Sequence, residues 1–124
     1  MLQQEISAFG RRMGMPGLAL SAGGLLALDV AGMGRLHIET GTDELLVYLS
    51  RAIPSHDSEA PRRLLELSHY RHAHAMPLQG GVHAGHAILL TRLALRAVSA
   101  AALENAALFL ARLMDDAAAN GGRA

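Results

Sequence analysis

Histidine is the residue type in this chain whose number and spacing ask for a chemical explanation. There are seven, and five crowd into one stretch: His69, His72, His74, His83 and His86. His69 and His72 stand three apart and would share a helix face. His83-Ala84-Gly85-His86 spans a turn signal. Neutral imidazoles at such spacings can bind zinc, copper or nickel. The usual companion ligands are missing. The chain has no cysteine and no His-Glu-x-x-His phrase, and Glu66 is the one nearby carboxylate. We therefore expect solvated or interfacial histidines and no metal site, with a His-rich metal-binding protein as the alternative.

Other reactive constellations fare worse. Serine catalysis needs an exposed nucleophile and an oriented base, and no Gly-x-Ser-x-Gly elbow occurs. Gly14-Met15-Pro16-Gly17 lacks dinucleotide-binding spacing and reads as a helix terminator. Asp43-Glu44 and Asp115-Asp116 fall at polar element ends, where charge is simply solvated. Asp29 lies inside an apolar run and is expected to cap the turn that follows, or else to meet a partner. All 11 basic residues are arginine, so Schiff-base chemistry and a phosphate-loop lysine are excluded. Without cysteine there is neither disulfide nor thiolate chemistry. Net charge is zero and the arginines form only short pairs, Arg11-Arg12 and Arg62-Arg63, so no nucleic-acid surface is expected. These exclusions point to a binding protein, not an enzyme, with no cofactor.

The elements that would position such a surface can be read from periodicity. Leu2, Ile6, Phe9 and Met13 fall on one face of a helix from Leu2 to Gly14. Leu25 to Val30, Arg35 to Glu39 and Glu44 to about Ile53 read as three strands of an antiparallel meander. A polar loop, 54–61, leads to a helix from Pro61 to His72, with proline near its start and Leu64, Leu65 and Leu67 on a compact side beside Ser68. Gln79-Gly80-Gly81 reads as a turn or bulge, Val82-His83-Ala84 as a short strand, and His86 to Leu95 as the last strand. Ser99 is an N-cap for a final helix to Ala119, striped with Leu103, Leu110 and Met114. The fold class is α+β, a twisted antiparallel sheet with helices packed on it. Residues 1–119 form one domain, and 120–124 a frayed tail. The N-terminus lacks a basic start with an apolar run, and no stretch is long enough to span a bilayer. A cytosolic protein with no membrane insertion is expected. Aromatics are only 3%, so the core is built from Leu and Ala and is thin, which suggests oligomerisation.

The phrase Phe9-Gly10-Arg11-Arg12-Met13-Gly14-Met15-Pro16, followed by Leu18 and Leu20, resembles the opening of class I type III secretion chaperones, the Tir-chaperone-like family. Leu26-Ala27-Leu28-Asp29-Val30 and Leu36-His37-Ile38-Glu39 resemble its first hairpin. Leu45-Leu46-Val47-Tyr48 resembles its third strand and Arg63-Leu64-Leu65-Glu66-Leu67 its central helix. Ile88-Leu89-Leu90-Thr91-Arg92-Leu93 and the final helix complete the order, so the resemblance covers about residues 2–118. It implies a homodimeric bacterial chaperone that uses no ATP. Such a protein holds the N-terminal region of a secreted effector in an extended form, by strand addition and pocket filling. On that resemblance, Ile6, Phe9, Met13, Leu18, Leu28, Leu36 and Ile38 are expected to bind the effector. Leu64, Leu65, Leu67, Ser68 and Arg71 are expected at the dimer interface. A subunit of a heterodimeric chaperone that binds a secretion regulator is the alternative within the family.

Overall fold

The computed structural model describes residues 2–67 and 76–121. Its order is α1 (Leu2–Arg12), β1 (Leu25–Val30), β2 (Gly34–Thr40), β3 (Glu44–Ala52), α2 (Ala60–Leu67), β4 (Gln79–His83), β5 (His86–Ala94), a short 3₁₀ turn at Leu95–Ala97, and α3 (Ala100–Gly121). The five strands form one antiparallel sheet in the order β1-β2-β3-β5-β4. The first three strands are the expected meander. Strand β5 then crosses to pair with β3, and β4 is left at the far edge.

Alternation along the strands builds the core. Leu28, Leu36, Ile38, Leu45, Val47, Leu49, Ala87 and Leu89 point to one face and are buried with Ile6 and Phe9 of α1 and with Leu103, Ala106, Ala107, Leu110 and Met114 of α3. Every described helix therefore packs on one side of the sheet. Leu64 of α2 joins the same cluster. Gly80 explains how α2 comes so close. A Cβ there would stand 2.9 Å from the Leu64 carbonyl oxygen, so only glycine lets α2 lie on β4.

Local signals set the helix ends. Gly14, at φ 75°, closes α1 as a Schellman motif: its N–H donates to the Arg11 carbonyl at 3.2 Å and that of Met15 to the Gly10 carbonyl at 2.7 Å. Ser99 caps α3 as expected, its Oγ accepting from the Ala102 N–H at 3.0 Å. Glu5 reaches across from α1 and accepts from the Ala100 N–H at 2.9 Å, joining the two helices.

Several expectations are corrected. Gln79-Gly80-Gly81 is part of strand β4 and neither a turn nor a bulge; the turn is Ala84-Gly85, both at positive φ. The glycines hide the strand because they carry no apolar alternation. Asp29 does not cap its turn. It pairs with Arg35 across the hairpin, at 3.1 and 3.2 Å. Helix α3 continues to Gly121, two residues past the expected end. Ile6, Phe9, Leu28, Leu36 and Ile38 are between 0% and 7% exposed and hold this chain's own core together, so they are not a surface for a partner. The helical and strand periods that made them conspicuous are those of a buried face. Leu64 is likewise committed to the core, at 1%. Ser68, Arg71, His69, His72 and His74 lie outside the described residues, as does the side chain of Leu67.

Candidate functional site

Three surfaces formed by the described residues bear on binding once the core is assigned. The first follows α1. After the Schellman turn the chain runs back along the helix, and Gln3 fixes it there, donating to the Leu18 carbonyl at 3.1 Å and accepting from the Leu20 N–H at 3.2 Å. Met13, Met15, Leu18 and Leu20 pack against the core with their outer sides open to solvent. Arg12 pairs with Glu104 at 3.0 Å and braces α1 against α3. Of the residues expected to bind an effector, Met13 and Leu18 are the two that reach the surface, and both belong to this rim. Thioether side chains adapt to varied neighbours at little cost.

The second surface is the sheet's other face, which no described helix covers. One row of side chains crosses all five strands in register: Ala27, His37, Tyr48, Leu90 and Gln79. The His37 and Tyr48 rings stack with centroids 4.5 Å apart and planes 5° from parallel. Leu25, half exposed at 50%, Leu46 and Ile88 extend the apolar area on either side of this row. Its two arginines are paired within the chain, while Glu39, between Leu25 and Leu46, is in no ion pair among the described residues. Arg35 is held by Asp29, and Arg92 by Glu44 at 3.2 Å and by the Gln79 side-chain oxygen at 3.1 Å. Burial, reinforced by the Arg35 charge, pushes the His37 pKa below its ordinary value, with Asp29 opposing. Burial raises that of Tyr48, and Glu39 adds to the rise. Both rings are thereby held in the neutral form near neutral pH, which suits an apolar contact. Strand β1 borders this face as an edge hydrogen-bonded to β2 alone within the sheet, and beyond Leu25, whose N–H and carbonyl are held by Ser21, it can accept an added strand.

The third surface is the flank made by α2 and β4. Leu65 is 60% exposed and Val82 43%. On the uncovered sheet face, a shallow depression of about 250 Å³ lies over Gly80 and Gly81 between Ile88 and Leu90. Arg63 locks α2 in place. It pairs with Asp57 and donates to the Ala117 carbonyl of α3 at 2.8 Å. The hydrogen bond from Arg63 holds the Asp57 carboxyl below its usual pKa.

These surfaces are built for contact. Among the described residues no three histidine or acidic side chains gather closely enough to hold a metal ion, and no helix is long and apolar enough to cross a membrane. The uncovered sheet face was not among the sequence expectations. Its signal was present: Leu45-Leu46-Val47-Tyr48-Leu49 and Ile88-Leu89-Leu90 are apolar at consecutive positions, so both faces of β3 and β5 are apolar.

Comparison with known proteins fits this architecture. A chain of the ExsC–ExsE complex matches with a TM-score of 0.69 at 20% identity, over 94% of this chain and 87% of that one. The Yersinia pestis type III secretion chaperone SycH, solved with a stable fragment of YscM2, matches at 0.65 and 16%, over 96% and 98%. The ExoT–SpcS complex from Pseudomonas aeruginosa matches at 0.63 and 15%, over 93% and 95%. At these identities the likeness is one of fold. No curated protein matches in sequence. The family model of the type III secretory system chaperone SycN matches residues 1–118, nearly the whole length, and the chain belongs to that family of secretion chaperones.

Proposed function

We propose that this type III secretion chaperone holds the N-terminal region of a secreted effector as an extended chain, without ATP, in the bacterial cytoplasm. The observation that carries the reading is the uncovered sheet face, whose apolar row and paired arginines fit a segment with apolar anchors. Edge strand β1 supplies main-chain pairing that fixes register. The rim of Met13 and Leu18 takes further anchors. An extended segment loses conformational entropy on binding, so it must bury many apolar side chains to compensate, and a surface this long provides for that. The chaperone SycH, which has this fold, was solved with a bound fragment of YscM2, and the ExoT–SpcS structure is likewise a complex of two proteins, which supports the same use here.

The working unit is a homodimer. Leu65 and Val82 are the exposed apolar residues of the α2–β4 flank, Leu67 is the last residue of α2, and Ser68 and Arg71 come soon after it in sequence. Two copies joined there would double the length of surface offered to one effector.

The test is capture of the effector from the native host, followed by binding of its N-terminal segment to Leu25→Glu and Leu18→Glu variants. Both side chains are at least partly open, so folding should survive, and circular dichroism checks it. Each variant should weaken binding about tenfold or more, the loss expected when one apolar anchor is truncated. Affinity should change little between low and high salt, because the arginines of this face are paired within the chaperone and the net charge is zero. Wild-type affinity in both variants would place the effector elsewhere.

A further inference from the structure

We propose that His83 and His86 form a two-imidazole site for a divalent transition ion of the zinc, nickel and copper class, across the turn between β4 and β5. Three observations carry it. The first is register. His83 and His86 are direct partners in the β4–β5 ladder, joined by the two-residue loop Ala84-Gly85 with φ of 49° and 77°. Two consecutive positive φ values make the tight hairpin turn that leaves no slack, so both side chains leave the same face of the ribbon, with Cβ atoms about 5 Å apart. Two imidazoles at that separation can converge on one ion.

The second observation is a fixed tautomer. The His86 Nδ1 lies 3.1 Å from the Ala84 carbonyl oxygen. A carbonyl can only accept, so Nδ1 carries the hydrogen and Nε2 of the neutral ring presents its lone pair. This is how metal-binding histidines are commonly oriented, with the far nitrogen anchored to a backbone carbonyl. His83 is exposed and has no hydrogen-bond or ion-pair partner among the described residues, so it is free to swing toward the same point.

The third observation is electrostatic. His86 borders an open depression of about 700 Å³ whose lining includes Arg35 and Arg51, cations that would repel an incoming ion if loose. Both are engaged. Arg35 is paired with Asp29, and Arg51 donates to the Met33 carbonyl at 3.0 and 2.7 Å and pairs with Asp115 at 2.7 Å. The depression is open to solvent, so water can fill the remaining coordination positions. The ion would act as a clip at the end of edge strand β4. Spacing alone offers His83 and His86 as imidazoles across a turn, without the companion ligands whose lack led to the expectation of no metal site; the turn type and the His86 hydrogen bond add the geometry.

The test uses the full chain without an affinity tag and zinc or nickel chloride as the probe. Calorimetry should show one saturable equivalent. His83→Gln and His86→Gln should each lower affinity about tenfold or more, while His56→Gln leaves it unchanged. Zinc should also raise the thermal midpoint of the wild type and slow hydrogen exchange in β4, with neither effect in the double variant. Circular dichroism confirms that the variants fold. Absence of saturable binding, or binding that persists in the His83→Gln, His86→Gln double variant, overturns the proposal.

Discussion

A buried hydroxyl and two acid-sensitive side chains show what individual residues contribute. Thr91 lies on the inner face of β5 at 0% exposure, and its Oγ1 finds no hydrogen-bond partner among the described residues. An unsatisfied buried hydroxyl costs free energy that a methyl group does not. Thr91→Val should therefore raise stability, by about 1 kcal/mol, read as a higher urea midpoint with unchanged slope. Acid sensitivity has two windows. The lowered His37 pKa means the unfolded chain binds the proton more readily, so stability is full above about 6.5 and falls as pH drops below it. Asp57 is also lowered, through Arg63, so its contribution is full above about 3.8 and is lost as pH falls through its folded value. Urea midpoints followed against pH should show both steps, with His37→Gln removing the upper one and Asp57→Asn the lower. At this scale the sequence is a good guide to burial and a poor one to exposure. The 3.6-residue period of Ile6 and Phe9 identifies a buried face, but a buried stripe and a binding stripe have the same period.

Among elements, those closed by local chemistry were the legible ones. Gly14 with Pro16 ends α1, Ser99 starts α3, and the spacing of the first three strands admits only hairpins. Strand β4 was obscured because its reasons are tertiary: Gly80 is there to admit α2, and nothing within the strand announces it. The turn beyond it is imperfect. Ala84 adopts φ 49°, a conformation that costs an ordinary side chain about 1 kcal/mol and that asparagine and glycine accept readily. Ala84→Asn should thus stabilise the hairpin by about 0.5–1 kcal/mol, seen as a higher thermal midpoint and slower hydrogen exchange in β4. An unchanged or lower midpoint would mean that the turn is relaxed as it stands.

At the scale of the whole molecule, the described residues cover the sheet on one side only. A single thin core, mostly Leu and Ala with few aromatic rings, supports five strands from one face. The other face carries Leu25, Leu46, Tyr48, Ile88 and Leu90 toward solvent. An apolar surface of that kind on a small protein is usually reserved for a partner. A domain of this size has little stability to spare, so burying more apolar area by association should matter measurably. If the α2–β4 flank joins two copies, the thermal midpoint should rise with protein concentration, because a partner that binds only the folded state stabilises it by mass action. Light scattering should give twice the chain mass at micromolar concentration. Leu65→Glu, at the most exposed apolar position of that flank, should halve the mass and remove the concentration dependence, since the charge would be buried without a partner. Its circular dichroism spectrum should match the wild type, because Leu65 faces away from the core that Leu64 helps to build. A monomer mass for the wild type would assign the flank to a different subunit, and a dimer that survives Leu65→Glu would move the self-contact to another face of the sheet.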